Sequence, residues 1–257
     1  MNTPSRSILA LGALLLAMAT SDAAPRADLV LVAGATGRTG RQVVEQLVAR
    51  NYRVRALTRD AARAGGQFPS VVELVVGDVR DPASLQRAMK GVRYVISTVG
   101  AGGGPNPEPG NGPNDIDHLG VANLAQAAKR ARVRQIVIVS SMAVTKAAEY
   151  PLAFMRPILA AKAEGEAAVR RSGVPYTILR PGGLLDEPGG KWAVQFAQGD
   201  TTIGRIPRAD VATACIEALG RRSALSRTAE ILSSKTPAPN AWAADFAALK
   251  ADPPPLR

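Results

Sequence analysis

Cysteine, histidine and aromatic side chains are nearly missing from this chain of 257 residues, which holds one cysteine, one histidine and 4% aromatics. A single cysteine excludes an intramolecular disulfide. The lone His118 cannot form a histidine-based metal cluster, no Cys/His ligand spacing occurs, and no metal site is expected. Cys215 falls in a helical pattern with Val211, Ala218 and Leu219 and reads as a small buried apolar residue. The formal net charge is +11, and seven of the 32 basic residues are lysines, so the excess is arginine. These charges are dispersed, aromatics are sparse and no recognition motif occurs, which argues against a nucleic-acid partner. The 46% hydrophobic content suffices for one substantial core.

Glycine, by contrast, is concentrated where it is informative. Residues 29–40 read Leu-Val-Leu-Val-Ala-Gly-Ala-Thr-Gly-Arg-Thr-Gly. An apolar, β-prone run ends in Gly34, Gly37 and Gly40, spaced three apart. A helical pattern follows, with Val43, Val44, Leu47 and Val48. A strand, a glycine turn and a helix N-terminus let backbone N–H groups approach a pyrophosphate, whose charge the helix dipole favours. Gly34 is expected to supply the tight turn, Gly37 the close approach and Gly40 the packing of helix on strand. The bland alternative is an ordinary strand-to-helix turn.

Residues 53–58 read as a second strand ending at Arg59. In a dinucleotide fold that position meets the adenosine ribose. An acid there suits the 2′-hydroxyl of NAD, and an arginine suits the 2′-phosphate of NADP. With Arg38 inside the glycine turn, two guanidiniums are expected to converge on one phosphate, which makes NADP (NADPH) the expected cofactor. The competing reading makes both of them solvated surface charges.

Further strands are expected at 71–77, 92–99, 135–140 and 175–180. Helices are expected at 41–50, 115–131 and 157–171, with a short one that Asp81 caps and Pro82 opens. This alternation predicts an α/β fold, a Rossmann-like doubly wound parallel sheet. Residues 192–197 and 201–203 look like a small hairpin around Gly199-Asp200. A helix at 207–219 and a late strand at 229–232 follow. The expected organisation is one domain over 28–235 with a small C-terminal substrate lobe at about 184–206, then a helix and tail over 236–257. Residues 100–114, GAGGGPNPEPGNGPN, hold ten Gly or Pro in fifteen positions. They follow the strand expected to end beside the nicotinamide and read either as a mobile lid or as a disordered loop.

The N-terminus has the order of a processing signal. Residues 1–6 are basic, residues 8–19 form an apolar run, and Ser21-Asp22-Ala23 offers small residues for cleavage. The run is shorter than the about 20 residues a bilayer span needs. A signal peptide over 1–23 is therefore expected, with export to a periplasm or the exterior and no stable span afterwards. An uncleaved anchor, or a start codon assigned too early on a cytoplasmic protein, are the alternatives. Export unfolded would leave a cytoplasmic NADP behind, so the two expectations pull apart.

GATGRTG at 34–40, ALTRD at 56–60, GDVRD at 77–81, VSS at 139–141 and TILRPGGL at 177–184 resemble the atypical short-chain dehydrogenase/reductases. PGGLLDEPGG at 181–190 and IPRADVA at 206–212 narrow the resemblance to small NADP-binding members. The resemblance covers residues 29 to about 233. It implies that Gly34, Thr36, Gly37, Arg38, Thr39 and Gly40 hold the pyrophosphate. It implies that Asp78 and Val79 edge the adenine, that Gly100 lies near the nicotinamide ribose, and that Pro181 and Gly182 border the nicotinamide. Ser141 falls where the family places its active-site serine, and Lys162 where it places the lysine that holds the nicotinamide ribose.

The chain departs from the family at the tyrosine. Family enzymes carry Tyr one helical turn before the lysine, where it protonates the carbonyl as hydride arrives. Here that position is Ile158, and Tyr150 lies beyond Pro151 and Pro157. Loss of this acid leaves open an NADPH-dependent reductase whose acceptor, flavin- or quinone-like, takes its proton from solvent. The alternative is a non-catalytic NADP-binding redox sensor or scaffold. An isomerase or epimerase is disfavoured by the same missing tyrosine. The substrate and the oligomeric state stay unspecified.

Overall fold

Five consecutive buried residues, Leu29–Ala33, form β1, an interior strand of an eight-stranded sheet. The computed structural model describes residues 28–101, 108–234, 236–237 and 239–254. The expected signal peptide lies outside them, as do residues 102–107 of the glycine- and proline-rich stretch. After β1 come α1 (Arg38–Ala49), β2 (Arg53–Thr58), α2 (Ala61–Ala64), β3 (Glu73–Val76), α3 (Pro82–Ala88) and β4 (Tyr94–Ser97). A π-helical segment, Asn114–Gly120, runs straight into α4 (Val121–Arg130), followed by β5 (Gln135–Val139), α5 (Arg156–Ser172) and β6 (Tyr176–Pro181). The remainder is β7 (Gly183–Leu185), β8 (Val194–Ala197), β9 (Arg205–Pro207), α6 (Arg208–Ala218), β10 (Arg227–Ser233) and α7 (Trp242–Ala247).

The sheet order is β3-β2-β1-β4-β5-β6-β10-β8, parallel throughout except for β8, which runs antiparallel to β10. Alternation along β1 divides the core. Val30 and Val32 pack on one face with Val43, Val44 and Leu47 of α1 and with α6. Leu29, Leu31 and Ala33 pack on the other with Leu85 of α3 and Leu124 of α4. Each Val or Leu among them, fully buried, contributes about 1.5–3 kcal/mol. This is the doubly wound Rossmann-like fold, and its switch point lies between β1 and β4, where the chain leaves the sheet in opposite directions.

Three expectations need correction. The expected helix over 115–131 begins as π-helix, and it packs closely on α5 and on the Val79 loop. A Cβ on Gly165 would overlap the Asp117 carbonyl, and one on Gly120 would come within 2.7 Å of Val79 Cγ2. The expected hairpin at 192–203 does not form. Residues Val194–Ala197 pair instead with the free edge of β10, and 201–203 carry no strand. A two-stranded parallel sheet of β7 and β9 was not foreseen, since neither three-residue strand is long enough to show a period. Among the described residues no helix is long and apolar enough to cross a membrane, and no group of three or more His, Cys, Asp or Glu could hold a metal ion.

Candidate functional site

The glycine turn closes on itself at the switch point. Gly34 has φ +80°, and its carbonyl accepts from Gly37 N at 3.0 Å. Thr98, just past β4, donates its N–H to the Ala33 carbonyl at 2.9 Å. A Cβ on Gly34 would lie 2.8 Å from Thr98 C, and one on Gly40 would overlap the Gly34 carbonyl. Gly34 and Gly40 are thus required by backbone packing. Gly37 differs: its φ is −73°, it is exposed as the N-cap of α1, and a Cβ there would face open space except for the Gly34 carbonyl at 3.2 Å. The first-turn N–H groups of α1 have no intrahelical partners, and the turn carries no acid.

A cleft of about 460 Å³ opens beside this turn, lined by Gly34, Thr36, Gly37, Arg59, Asp78, Val79, Thr98, Gly100, Glu108 and Asn111. At its far end Arg59 is exposed and donates to Asn111 Oδ1 at 3.0 Å. Asp78 is gripped by Arg80, whose Nε reaches Oδ1 at 3.0 Å and whose Nη1 reaches the Gly110 carbonyl at 2.7 Å. The hydrogen bond from Arg80 holds the Asp78 carboxyl below the usual carboxylate range, against the effect of burial. Two arginines therefore fasten residues 110–111 across this end of the cleft.

At the near end Lys162 Nζ pairs with Asp117 Oδ1 at 2.7 Å, and Asp117 Oδ2 accepts from Ala101 N at 2.9 Å. The Asp117 side chain has no exposed surface. A Cβ on Gly100 would lie 3.5 Å from Asp117 Oδ1 and 3.8 Å from Lys162 Nζ, so the pair stands directly behind the cleft wall. Sequence reading missed Asp117, yet a signal was present: Asp117, Val121, Leu124 and Ala128 share one helical stripe, an acid among apolar residues. Ser140, and not Ser141, shares a small void with Lys162 and Asp117; its Oγ is buried with no hydrogen-bond partner among the described residues. Ser141 follows β5 half-buried.

One helical turn past Lys162, Glu166 enters a buried ionic network. Arg180, inside β6, donates to Glu166 at 2.9 and 2.7 Å and to Glu230 Oε1 at 3.1 Å. Burial works against its charge, but the bonds and fields of Glu166 and Glu230 outweigh that and raise the guanidinium pKa. Glu230 Oε2 accepts from Asp200 N at 3.1 Å. The Asp200 carboxylate in turn accepts from Ala143 N at 2.6 Å and Thr145 N at 3.1 Å. Ala143 and Asp200 hold φ of +66° and +55°, conformations that cost an L-residue energy, and this network offsets the strain. The loop bearing Ser141 is thereby fixed to β6 and β10.

Other expected residues fall elsewhere. Pro181 ends β6 and Gly182 follows it, neither in the cleft lining; the Pro181 carbonyl accepts from Met142 N at 3.1 Å and Gly182 packs against the Gly204 carbonyl. Arg38 does not converge with Arg59. Its guanidinium pairs with Asp186, which also accepts from Arg208 Nε at 2.7 Å, and Arg208 Nη1 donates to Thr39 Oγ1 at 3.3 Å. Ile158 lies on α5 one turn before Lys162, whereas Tyr150 ends a separate 3-10 turn and its carbonyl accepts from Arg156 Nε at 2.9 Å.

A family model described as NAD(P)H-binding matches residues 34–222. An uncharacterized chloroplastic protein of Arabidopsis thaliana is 34% identical over 242 residues, 86% of this chain and 74% of that protein. Sanguinarine reductase of Eschscholzia californica is 33% identical over 235 residues, 74% of this chain and 83% of that protein. Among solved structures, one named for an NAD-dependent epimerase/dehydratase of Bacillus halodurans superposes with TM-score 0.72 at 25% identity, covering 86% of this chain and 99% of that one. These findings correct the expectation of export. The Arabidopsis relative and others like it are chloroplastic proteins, placed in an organelle and not secreted.

Proposed function

We propose that this chain, which belongs to the NAD(P)H-binding family of Rossmann-fold proteins, is an NADPH-dependent reductase of an acceptor that draws its proton from solvent, a flavin or quinone. The single observation that carries the reading is Ile158 one turn before Lys162, where a proton-donating tyrosine would be needed for carbonyl reduction. The residues present fit a dinucleotide. Gly37 leaves a cradle that a side chain would fill, and the unpaired first turn of α1 faces it without any acid. Arg59, at the end of β2 and in the lining of the cleft, suits the extra phosphate of NADP. A sanguinarine reductase among the relatives supports reduction as the chemistry.

The bound nicotinamide would supply hydride, two electrons and one proton, to the acceptor. Everything else falls to the chain. The α1 N-terminus binds pyrophosphate through backbone N–H groups. Lys162, aimed by Asp117, stands behind Gly100 to orient the nicotinamide ribose. Ser140 and Ser141 offer hydroxyls but no acid strong enough to protonate an alkoxide. NADPH oxidation against a panel of flavins, quinones, ketones and aldehydes tests this reading. Turnover with flavins or quinones that survives Tyr150→Phe is expected, with ketones slower by roughly 10²–10⁴-fold for want of a protein acid. Brisk ketone reduction that collapses in Tyr150→Phe overturns it. Dinucleotide binding without oxidation by any acceptor favours the sensor reading.

A further inference from the structure

The segment after β6 crosses the N-termini of two helices, and one carboxylate holds it there. The register of β7 on β9 pairs Leu185 with Pro207, which sets Asp186 beside Arg208, the first residue of α6. Asp186 bonds Arg208 at 2.7 Å and reaches past it to Arg38, the first residue of α1. Further along, Gly190 N donates to Asp210 Oδ1 at 2.7 Å, so the segment is pinned on both sides of Asp186. Arg208 is no ordinary surface arginine. Its side chain is 14% exposed, against 67% for Arg38, and it also touches Thr39 in the first turn of α1. Two guanidiniums thus already grip an anion over the helix end from which Gly37 opens the cradle.

We propose that Arg38 and Arg208 form a phosphate clamp over the N-terminus of α1, and that Asp186 fills it as an intramolecular stand-in which a dinucleotide phosphate displaces from Arg38. The clamp rests on the reading of that helix end as a pyrophosphate site and adds to it a residue, Arg208, and a competitor, Asp186. Carboxylate and phosphate present the same paired oxygens to a guanidinium, so exchange leaves Arg38 satisfied in both states. The arms on Asp186 are also pulled by Arg208 and Arg38 together, which keeps its carboxyl ionised and competitive. In the free protein the occupied clamp weakens cofactor binding, since Asp186 must be turned out first.

A double-mutant cycle on the full chain decides the matter, with NADPH affinity read by calorimetry at low salt. Asp186→Ala is expected to tighten binding about tenfold, and in an Arg38→Ala background the same change is expected to gain less than about twofold. Glu187→Gln, which removes a neighbouring charge outside the clamp, is expected to change affinity less than about twofold. An equal gain in both backgrounds would mean plain charge removal and overturns the clamp, as does an unchanged or weaker Asp186→Ala. The same cycle is run with inorganic pyrophosphate as the probe. If wild-type protein binds pyrophosphate with this pattern but no dinucleotide, the cofactor reading fails and the clamp stands. If it binds NADPH without the pattern, the clamp fails alone.

Discussion

Lys162 and Asp117 face each other at 2.7 Å, the carboxylate fully buried and the lysine side chain 17% exposed. That asymmetry ranks the damage of breaking them. Removing one partner of a buried pair costs about 3–5 kcal/mol, because the other is left charged without compensation. Lys162→Met strands the fully buried carboxylate, whereas Asp117→Asn strands an ammonium that can turn toward the cleft and keeps an acceptor for Ala101 N–H. Lys162→Met is therefore expected to lower the urea midpoint more than Asp117→Asn. Equal midpoints for both variants and the wild type would show that the pair does nothing for stability.

Arg59 is expected to decide between the two dinucleotides. Charged bonds from it to a 2′-phosphate would be worth about 1.5–3 kcal/mol, roughly ten- to hundredfold in affinity. Calorimetric titration of Arg59→Ala should show that loss for NADPH and little change for NADH. Asn111→Ala, which frees Arg59 of its present partner, should leave NADPH binding equal or tighter. Unchanged NADPH affinity in Arg59→Ala would remove the basis for an NADP preference.

Gly37 and Gly40 should fail in different ways. With φ at −73°, Gly37 can take a side chain without backbone strain, contrary to what a positive φ would have imposed. Gly37→Val is expected to melt near the wild type and to lose NADPH binding through bulk in the cradle. Gly40→Ala drives a methyl into the Gly34 carbonyl, and an overpacked backbone contact costs about 1–3 kcal/mol. Its melting temperature should fall. Full NADPH affinity in folded Gly37→Val would leave the turn a purely structural one.

Asp210 gives a pH test with a definite sign. Burial raises its carboxyl above the usual range, and Glu187 adds to this, against the Gly190 N–H that lowers it. A raised folded pKa means that the protonated form is the one folding favours, so stability from this site is present in acid and is lost as pH rises through the folded value. Asp210→Asn keeps an acceptor for Gly190 and avoids the buried charge. It should be at least as stable as wild type at pH 7, with the difference shrinking toward pH 3 in denaturant titrations. A variant less stable at pH 7 than at pH 3, relative to wild type, would show that the ionised form is the stabilising one.

Much of the scaffold was legible because central parallel strands are apolar on both faces. The runs Leu29–Ala33 and Gln135–Val139 announce themselves this way, and the glycine turn follows the first of them. What pairs with what across the chain was not legible. Arg180 meets Glu230 fifty residues away and Glu166 fourteen away, and a charged residue inside an apolar strand was the one visible hint. Asp117 shares an apolar helical stripe with Val121, Leu124 and Ala128, but that stripe names neither Lys162 as its partner nor the π-helical turn that carries it. Arg38 lies in the motif as expected, yet its direction is set by Asp186, 148 residues on. The strand at Val194–Ala197 was seen but given the wrong partner, because pairing depends on the edge that β10 leaves free.

Cys215 lies on α6 with no exposed surface, and burial pushes its thiol up to about 12. Since the thiolate is the reactive form, the native chain is closed to alkylating and disulfide reagents at neutral pH. Cys215 is also the sole cysteine of the sequence. Any label that attaches must do so through a molecule that has opened its core, so the rate of labelling is a clock for unfolding. Each substitution considered above can be timed against that clock without adding a probe to the protein.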